Sequence, residues 1–139
     1  MVNVKIIGRF TGPPNPCEVG ASRKIPDGPL FKKDEVEAVL ATGGIKTVTK
    51  DCLKDLQALE LDLDDLKVIV GEAINSGNYK DSEWALLNRD RGVWLACDAY
   101  VLKRKEWVDT ASKFMWIDYY LKFSLSNRGE MILPVSFHT

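Results

Sequence analysis

The spacing of apolar residues changes along the chain, from a helical period in the middle to a two-residue period towards the end. From Asp34 onward, Val36, Val39 and Leu40 recur at helical spacing until a glycine pair begins at Gly43. Glycine is a common helix terminator. This pattern predicts a first helix that ends at the glycine pair.

Two more helices are predicted directly afterwards. Leu53, Leu56 and Leu59 mark the second, and Thr49 is in position to cap its first turn. The third is predicted from about Leu63 to Asn75, with an apolar stripe made of Leu66, Ile69, Val70 and Ile74. Carboxylates are favoured at the positive N-terminal end of a helix. We therefore interpret Asp62, Asp64 and Asp65 as capping residues and not as metal ligands.

After Gly77 the composition favours β-strands to the end of the chain. Four strands are predicted, over Asn78–Leu86, Val93–Lys103, Phe114–Leu125 and Met131–His138. Helices grouped before strands are typical of the α+β class. We expect three N-terminal helices packed on one face of a mostly antiparallel sheet, with the other face open to a ligand.

The last predicted strand pair has two chemically different faces. On the strand that begins at Phe114, one face is apolar from Met115 to Leu125, and the other carries Trp116, Asp118, Tyr120, Lys122 and Ser124. On the final strand the alternation assigns Met131, Leu133, Val135 and Phe137 to the core. That register places Ser136 and the only histidine, His138, on the face of Tyr120 and Lys122. Pro134 indicates that the final strand is an edge or contains a bulge.

The chain of 139 residues is long enough for one domain with a substantial core. Residues 1–30 are rich in proline and glycine and are interpreted as an N-terminal arm, with a short strand within residues 2–7. No apolar run approaches a membrane span, and the first ten residues lack a signal-peptide core, so we expect a cytoplasmic protein with no membrane partner. The three cysteines are widely spaced and predict reduced thiols, two of them buried.

The net charge of −1 conceals an uneven distribution of charge along the chain. Residues 1–33 carry a net charge of +4, residues 34–83 carry −7 and residues 84–139 carry +2. A polyanion such as nucleic acid would therefore dock on the sheet and arm, away from the acidic helices.

Six segments in colinear order resemble the MqsR toxins. The matching segments are 34–47 (DEVEAVLATGGIKT), 59–65 (LELDLDD), 78–82 (NYKDS), 97–100 (CDAY), 120–123 (YLKF) and 135–138 (VSFH). The resemblance covers about residues 31–138, whereas residues 1–30 match no family. It implies a RelE-like fold and a messenger-RNA endonuclease of a type II toxin–antitoxin system, held inactive by a cognate antitoxin.

The resemblance also implies particular site residues. Lys80 falls on an active-site lysine of the family and Tyr120 on an active-site tyrosine. A family glutamine before an aspartate corresponds here to Cys97, or to Leu95, and neither has an amide. The family's C-terminal lysine corresponds to His138, which keeps a cation or proton carrier at that position.

The side-chain chemistry fits RNA cleavage without a metal or other cofactor. Such cleavage needs a base, an acid and cations around the phosphate, and Lys80, Tyr120, Lys122 and His138 are the expected catalytic set. Unpaired bases are read by stacking and edge contacts, and flanking phosphates by basic side chains. The residues expected to contact single-stranded mRNA are Tyr79, Trp94, Asp98, Tyr100, Trp116, Arg89 and Arg91. Lys103, Arg104 and Lys105 could also hold flanking phosphates, but such a run most often marks a solvated strand end, and we interpret it so.

Two other interpretations remain open from the sequence. The chain could be a non-catalytic RNA-binding or protein-binding module on the same fold, which its net acidity permits. Alternatively, the proline-rich arm could cover the sheet as a built-in partner segment. A homodimer is compatible with the sequence as well.

Overall fold

Three helices pack on one face of a six-stranded, mostly antiparallel sheet in the computed structural model, which describes residues 4–139. The helices are α1 (Lys33–Thr42), α2 (Lys50–Ala58) and α3 (Leu63–Ser76). The strands are β1 (Lys5–Ile7), β2 (Gly44–Ile45), β3 (Asn78–Asn88), β4 (Val93–Val108), β5 (Lys113–Leu125) and β6 (Met131–His138). The α+β class and the packing of the three helices are as expected from the sequence.

The central strands form an antiparallel meander. β4 pairs with β3 and β5, and β5 pairs with β6. The sheet is mixed because β1 joins β4 in parallel and β2 joins β6 in parallel. The predicted short strand near the N-terminus is therefore present as β1, while residues 2 and 3 of that prediction lie outside the described residues. The two-residue strand β2 was not predicted, because two residues cannot show a period.

Local capping explains where the second and third helices begin. The Thr49 hydroxyl accepts a hydrogen bond from the Cys52 amide at 3.1 Å, and so caps α2 as predicted. Asp62 and Asp65 form a reciprocal capping box at the start of α3, with distances of 2.8 and 3.0 Å. The interpretation of Asp62 and Asp65 as capping residues is confirmed, and Asp64 lies in the first turn of α3.

A bulge in β6 changes the face of several residues relative to the sequence prediction. Lys122 lies opposite Ser136 and Phe123 lies opposite Pro134, which leaves Val135 as the extra residue. The freed Val135 carbonyl accepts a hydrogen bond from the Thr49 hydroxyl at 2.8 Å. Pro134 thus indicated the bulge correctly.

The prediction that Met131, Leu133, Val135 and Phe137 form one apolar face of β6 was wrong. Phe137 and Ile132 join the main core beneath the helices, next to Leu121 and Leu125 of β5. Leu133 and Val135 instead pack on the opposite face, because the bulge reverses the alternation. That opposite face, which none of the helices covers, is called the helix-free face below.

The hairpin of β4 and β5 is longer than predicted. β4 continues five residues beyond Lys103, and the turn is confined to residues 109–112. The interpretation of Lys103, Arg104 and Lys105 as a strand end was wrong, because these residues lie inside a paired strand. Residues 103–106 are four consecutive charged residues on a ribbon exposed to solvent, so the alternation of apolar and polar residues that marks a strand is missing.

The N-terminal arm is hydrogen-bonded to the outer edge of β3. The Ile25 amide donates to the Ser82 carbonyl at 2.9 Å, and the Trp84 amide donates to the Arg23 carbonyl at 2.8 Å. The indole of the buried Trp84 also donates to the Pro14 carbonyl at 3.0 Å. The arm is therefore an ordered border of the sheet.

All three cysteines are free thiols. Two of them are buried, as the sequence predicted; the buried pair is Cys52 and Cys97, and Cys17 is exposed. Burial raises the pKa of Cys52 to about 11, which keeps this thiol protonated near neutral pH. In the part of the chain that the structure describes, no helix has the length and apolar character needed to cross a membrane.

Candidate active site on the helix-free face

The four residues expected to be catalytic line one pocket of about 190 Å³ on the helix-free face. Tyr120 lies opposite His138 across the β5–β6 pair, and Lys122 lies opposite Ser136. The sequence had left these pairings open but had placed Tyr120, Lys122 and His138 on one face, which is confirmed. It had not placed Lys80 on any face. The volume is below that of typical drug-sized ligand sites, and it suits a small group such as a phosphate with its ribose.

A small residue, Ala99, lines the middle of the pocket. Ala99 of β4 lies between Asp81 of β3 and Lys122 of β5 in the strand register. A methyl group at this position leaves space between the longer polar side chains on either side. The pocket therefore lies across four strands, β3 to β6.

A second bulge directs Lys80 into the pocket. The register shifts between Tyr79 and Asp81, so Lys80 is the extra residue of β3 and lines the pocket together with Asp81. Bulges commonly re-aim a side chain next to a functional site. The Lys80 ammonium lies 5.5 Å from the centre of the Tyr120 ring, within cation–π range.

Tyr120 and His138 form a stacked aromatic pair. Their ring centres are 5.4 Å apart and the rings are inclined by 19°. Tyr120 therefore has the imidazole of His138 against its ring as well as the ammonium of Lys80. The stack restrains a histidine that is otherwise exposed at the end of β6.

An ion-pair network also lines the pocket, and the sequence analysis missed it. Lys122 pairs with Glu83, and Lys24 of the arm pairs with Glu83 at 3.2 Å and with Asp81 at 2.6 Å. The alternation of Asp81 and Glu83 with the buried Ser82 and Trp84 could have indicated both carboxylates. No local signal could have indicated Lys24, because its position depends on pairing between the arm and β3.

The network sets the charge of the pocket. Burial alone would raise the pKa of Glu83, but its pairs with Lys122 and Lys24 outweigh burial and hold that pKa below its usual value. The hydrogen bond to Asp81 is the main cause of a raised pKa at Lys24. Three lysines face two carboxylates, Asp81 and Glu83, so the pocket carries a net charge of +1 while His138 is neutral.

Lys80 differs from the other two lysines of the pocket. Among residues 4–139, no carboxylate lies within ion-pair distance of its ammonium. Its charge is therefore the one most accessible to an incoming anion.

The structure places Asp98 on the other face of the sheet, fully buried, and not at the pocket. Its carboxylate accepts hydrogen bonds from the Leu30 and Phe31 amides, both at 3.0 Å, and from the Ser82 hydroxyl at 2.6 Å. Burial raises the pKa of Asp98 despite these three donors. The expected contact with RNA is incompatible with this placement, in which Asp98 anchors the end of the arm.

The two tyrosines expected to contact RNA also lie on the helix-covered face. Tyr100 is buried and stacks on Phe123, with ring centres 5.8 Å apart, and burial raises its pKa to about 12. The hydroxyl of the half-buried Tyr79 is hydrogen-bonded to that of Ser82 at 2.6 Å. The Tyr100 ring is thus part of the core, and Tyr79 extends the Ser82–Asp98 chain of hydrogen bonds.

The remaining residues expected to contact RNA are spread over the molecule. Arg89 and Arg91 are exposed in the turn between β3 and β4, at the far end of those strands from Lys80. Trp94 is half-buried beneath the Arg23 guanidinium, which lies 5.1 Å from its ring centre. Only Trp116 lies on the helix-free face with its side chain open to solvent.

A small apolar cluster lies beside the pocket on the same face. It consists of Leu95, Cys97, Leu133 and Val135, all buried. Cys97 and Leu95, the two positions at which the resemblance would place a glutamine, are thus both packing residues. Desolvation raises the pKa of this Cys97 thiol far above its usual value.

Within residues 4–139, no group of three or more histidine, cysteine, aspartate or glutamate side chains is arranged to hold a metal ion. Comparison of the chain with protein-family models, with curated proteins and with solved structures found no match.

Proposed function

We propose that this protein is a metal-independent endoribonuclease that cleaves single-stranded mRNA, as a RelE-like toxin of the MqsR type. The observation that carries the proposal is the convergence of Lys80, Tyr120, Lys122 and His138 in one pocket. These residues come from three strands. The bulge at Lys80 in β3 and the bulge at Val135 in β6 change the register of two of those strands. A cognate antitoxin as protein partner and a cytoplasmic location belong to the same proposal.

In the proposed reaction, a 2′-hydroxyl of the RNA attacks the adjacent phosphorus. His138 takes the hydroxyl proton, because imidazole is the side chain that most readily exchanges protons near neutral pH. The bond from O2′ to phosphorus forms as the bond to O5′ breaks, and O5′ leaves with a proton from the Lys80 ammonium. The products are a 2′,3′-cyclic phosphate and a 5′-hydroxyl end.

The remaining residues of the pocket stabilise and orient the substrate. The Lys80 ammonium lies 5.5 Å from the centre of the Tyr120 ring. A phosphate bound beside this ring would therefore be close to Lys80, which neutralises the charge that develops on the phosphate. The Tyr120 hydroxyl orients the 2′-hydroxyl. Lys122 contributes less positive charge than Lys80, because Glu83 already pairs with it.

The test is incubation of the purified protein with a long mRNA in the presence of EDTA. We expect discrete cleavage that survives chelation and falls by about 100-fold or more in Lys80→Ala and His138→Ala, as is usual for the loss of an acid or base. Lys54→Ala removes an exposed lysine from α2 and is the matched control, expected to cleave like the wild type. Absence of cleavage by folded wild-type protein, on free RNA and on translated RNA, would refute the proposal.

A non-catalytic RNA-binding or protein-binding module is the second candidate. Its supporting observation is the ion-pair network, which leaves the pocket with a net charge of only +1. Induced expression in a bacterial host separates the two candidates. Growth arrest that Lys80→Ala, Tyr120→Ala and His138→Ala relieve would support the ribonuclease, whereas arrest that persists in all three variants would support the binding module.

A further inference from the structure

The β4–β5 hairpin extends beyond the rest of the sheet. β3 begins at Asn78, opposite Val101, and β6 ends at His138, opposite Tyr120. From Leu102 to Tyr119 the two strands are therefore paired only with each other in the part of the chain that the structure describes. The helix-free face of this ribbon begins directly beside the pocket.

Lysines and aromatic residues share that face of the hairpin. The strand register places Lys105 opposite Trp116 and Trp107 opposite Phe114, on the same face as Tyr120. We call Lys103, Lys105, Trp107, Phe114 and Trp116 the hairpin strip. Asp118 lies on the same face opposite Lys103, and at the outer end of the strip the Trp107 indole donates a hydrogen bond to the Asp109 carboxylate at 2.7 Å.

The aromatic residues of the hairpin strip are unusually exposed. The exposed fractions are 69% for Trp116, 60% for Phe114 and 54% for Trp107. Trp107 and Phe114 pack edge to face with ring centres 5.2 Å apart, and the Lys105 ammonium lies 5.6 Å from the Phe114 ring centre. These contacts hold a group of rings and cations in place on the surface, where it is covered by no other part of residues 4–139.

The opposite face of the hairpin is different, because its arginine is already paired and it packs against the helices. Arg104 forms ion pairs with Glu72 of α3 at 3.0 Å and with Glu106 at 3.3 Å. Ile117 packs against the main core. The exposed aromatic rings of the hairpin therefore all lie on the face that continues into the pocket, together with Lys103 and Lys105. On the opposite face, Lys113 is a further cation at the end of the hairpin.

The composition of the hairpin strip favours nucleic acid over protein as its occupant. Lysine is depleted at the centres of protein interfaces, where aromatic residues are enriched. Sites for single-stranded nucleic acid combine both types, because bases stack on the rings while cations follow the phosphates. Tyr120 lies four positions beyond Trp116 along β5, a distance of about 14 Å.

We propose that the hairpin strip binds the unpaired nucleotides next to the phosphate that is cleaved in the pocket. This inference rests on the proposed ribonuclease function. Trp116 provides the stacking surface, Lys105 and Lys103 contact phosphates, and the edge-to-face pair of Trp107 and Phe114 forms the outer end. The strip thereby extends the substrate site from one nucleotide to several.

The test uses binding of fluorescently labelled 2′-deoxy oligonucleotides, which cannot be cleaved by 2′-hydroxyl attack. The probes are a dinucleotide that fills only the pocket and two eight-nucleotide strands, extended on the 5′ or the 3′ side. For one direction of extension we expect the wild type to bind the longer strand at least tenfold more tightly than the dinucleotide, an increase typical of one or more stacked bases. Trp116→Ala and Lys105→Ala should lose most of this increase while binding the dinucleotide unchanged.

Met115→Ala is the matched control. Met115 neighbours Trp116, is 40% exposed and lies on the opposite face of the hairpin, so this variant should keep the full increase in affinity. Trp116→Phe, which retains an aromatic ring, should recover part of it. An undiminished increase in Trp116→Ala, or an equal loss in Met115→Ala, would overturn the inference.

Two further outcomes separate this inference from the proposed function. In the first, the wild type cleaves no RNA but binds the longer strand more tightly, and Trp116→Ala and Lys105→Ala lose this increase. That result would refute the ribonuclease and keep the hairpin strip as a binding surface. Loss of self-association in Trp116→Ala, measured by light scattering with RNA affinity unchanged, would overturn the inference in favour of an interface between copies of the chain.

Discussion

Two carboxylates on neighbouring strands of the sheet, Asp98 and Glu83, experience opposite environments. Asp98 lies under the helices, fully buried, with three uncharged donors around it. Glu83 lies on the helix-free face between the ammonium groups of Lys122 and Lys24. The pKa of Asp98 is raised, chiefly by burial, whereas the pairs with lysine hold the pKa of Glu83 below its usual value.

The two faces of the sheet have different roles: the helix-covered face stabilises the fold, and the helix-free face carries the groups that could bind an anion. On the helix-covered face a carboxylate fixes backbone amides, and its replacement should mainly affect stability. On the helix-free face a carboxylate regulates the charge of lysines that an anion could approach. Its replacement should mainly affect binding.

Replacement of Asp98 by alanine should have the largest effect. The change leaves the Leu30 and Phe31 amides and the Ser82 hydroxyl without their acceptor, so we expect the free energy of unfolding to fall by about 3–5 kcal/mol. Urea denaturation measures this loss. Asp81→Ala, which removes a carboxylate paired with the half-exposed Lys24, should cost no more than about 1 kcal/mol. Similar losses in both variants would erase the contrast between the two faces.

Replacement of Gly28 by alanine should disturb the same buried network from the side of the arm. A methyl group at Gly28 would collide with the hydroxyls of Tyr79 and Ser82, which link to Asp98. We expect a loss of about 1–3 kcal/mol in the free energy of unfolding, measured by thermal or urea denaturation. Gly71→Ala in α3 meets only an ordinary contact with Leu40 and should be neutral or stabilising, because alanine favours helix. A neutral Gly28→Ala would mean that the arm is not packed as described.

Replacement of Glu83 by glutamine should act on RNA binding more than on stability. The neutral side chain releases Lys122 and Lys24 from a shared carboxylate, so we expect RNA affinity to rise severalfold. The slope of log affinity against log salt should steepen by about 0.7 for each additional phosphate that the released lysines neutralise. The unfolding free energy should change by about 1 kcal/mol or less. Binding titrations at several salt concentrations measure the effect.

The control for Glu83→Gln is Glu35→Gln, which removes the same charge from an ion pair with Arg9 outside the pocket. This variant should leave both affinity and salt slope close to the wild-type values. An equal increase in both variants would mean that net charge, and not the pocket, governs binding.

The pH dependence of stability should show the smallest effect, with opposite signs at the two carboxylates. Because the folded-state pKa of Asp98 is raised, its stabilising contribution is complete below the unfolded value of about 3.9 and is lost as pH rises through the folded pKa. Because the folded-state pKa of Glu83 is lowered, its contribution is complete above about 4.3 and is lost as pH falls through the folded pKa.

Asp98→Asn and Glu83→Gln make the opposite signs measurable. The stability gap between wild type and Asp98→Asn should narrow as pH rises from about 4, and the gap for Glu83→Gln should narrow as pH falls below it. Urea denaturation between about pH 3 and pH 7 checks both gaps. Slopes of the same sign would contradict the assignment of different environments to the two residues.

The helices and the polar face of β5 could be predicted because local periods report which side of an element is buried. The apolar spacing from Leu66 to Ile74 located α3, and the alternation from Tyr119 to Phe123 placed Tyr120 and Lys122 on the helix-free face. These features depend only on neighbours in the sequence.

The bulges and the arm could not be predicted in this way. The bulge at Val135 is an irregularity of the backbone that the side-chain pattern does not report. Because of it, Leu133 and Phe137 lie on opposite faces of the sheet, although the sequence alternation predicts one face for both. The pairing of the arm with β3 brings Lys24 to Asp81, 57 residues further along the chain, so no local pattern reports it. Asp98 was misplaced because its polar partners are backbone amides of the arm.

The contact between the arm and the outer edge of β3 also bears on the colloidal behaviour of the protein. An unpaired strand edge is a template on which another molecule can add a strand, and so a starting point for polymerisation. The arm occupies the Ser82 carbonyl and the Trp84 amide at that edge, and it covers the indole of Trp84 with Pro14. A chain shortened by residues 1–30 would expose this edge and should precipitate, so the arm protects the sheet against uncontrolled self-assembly.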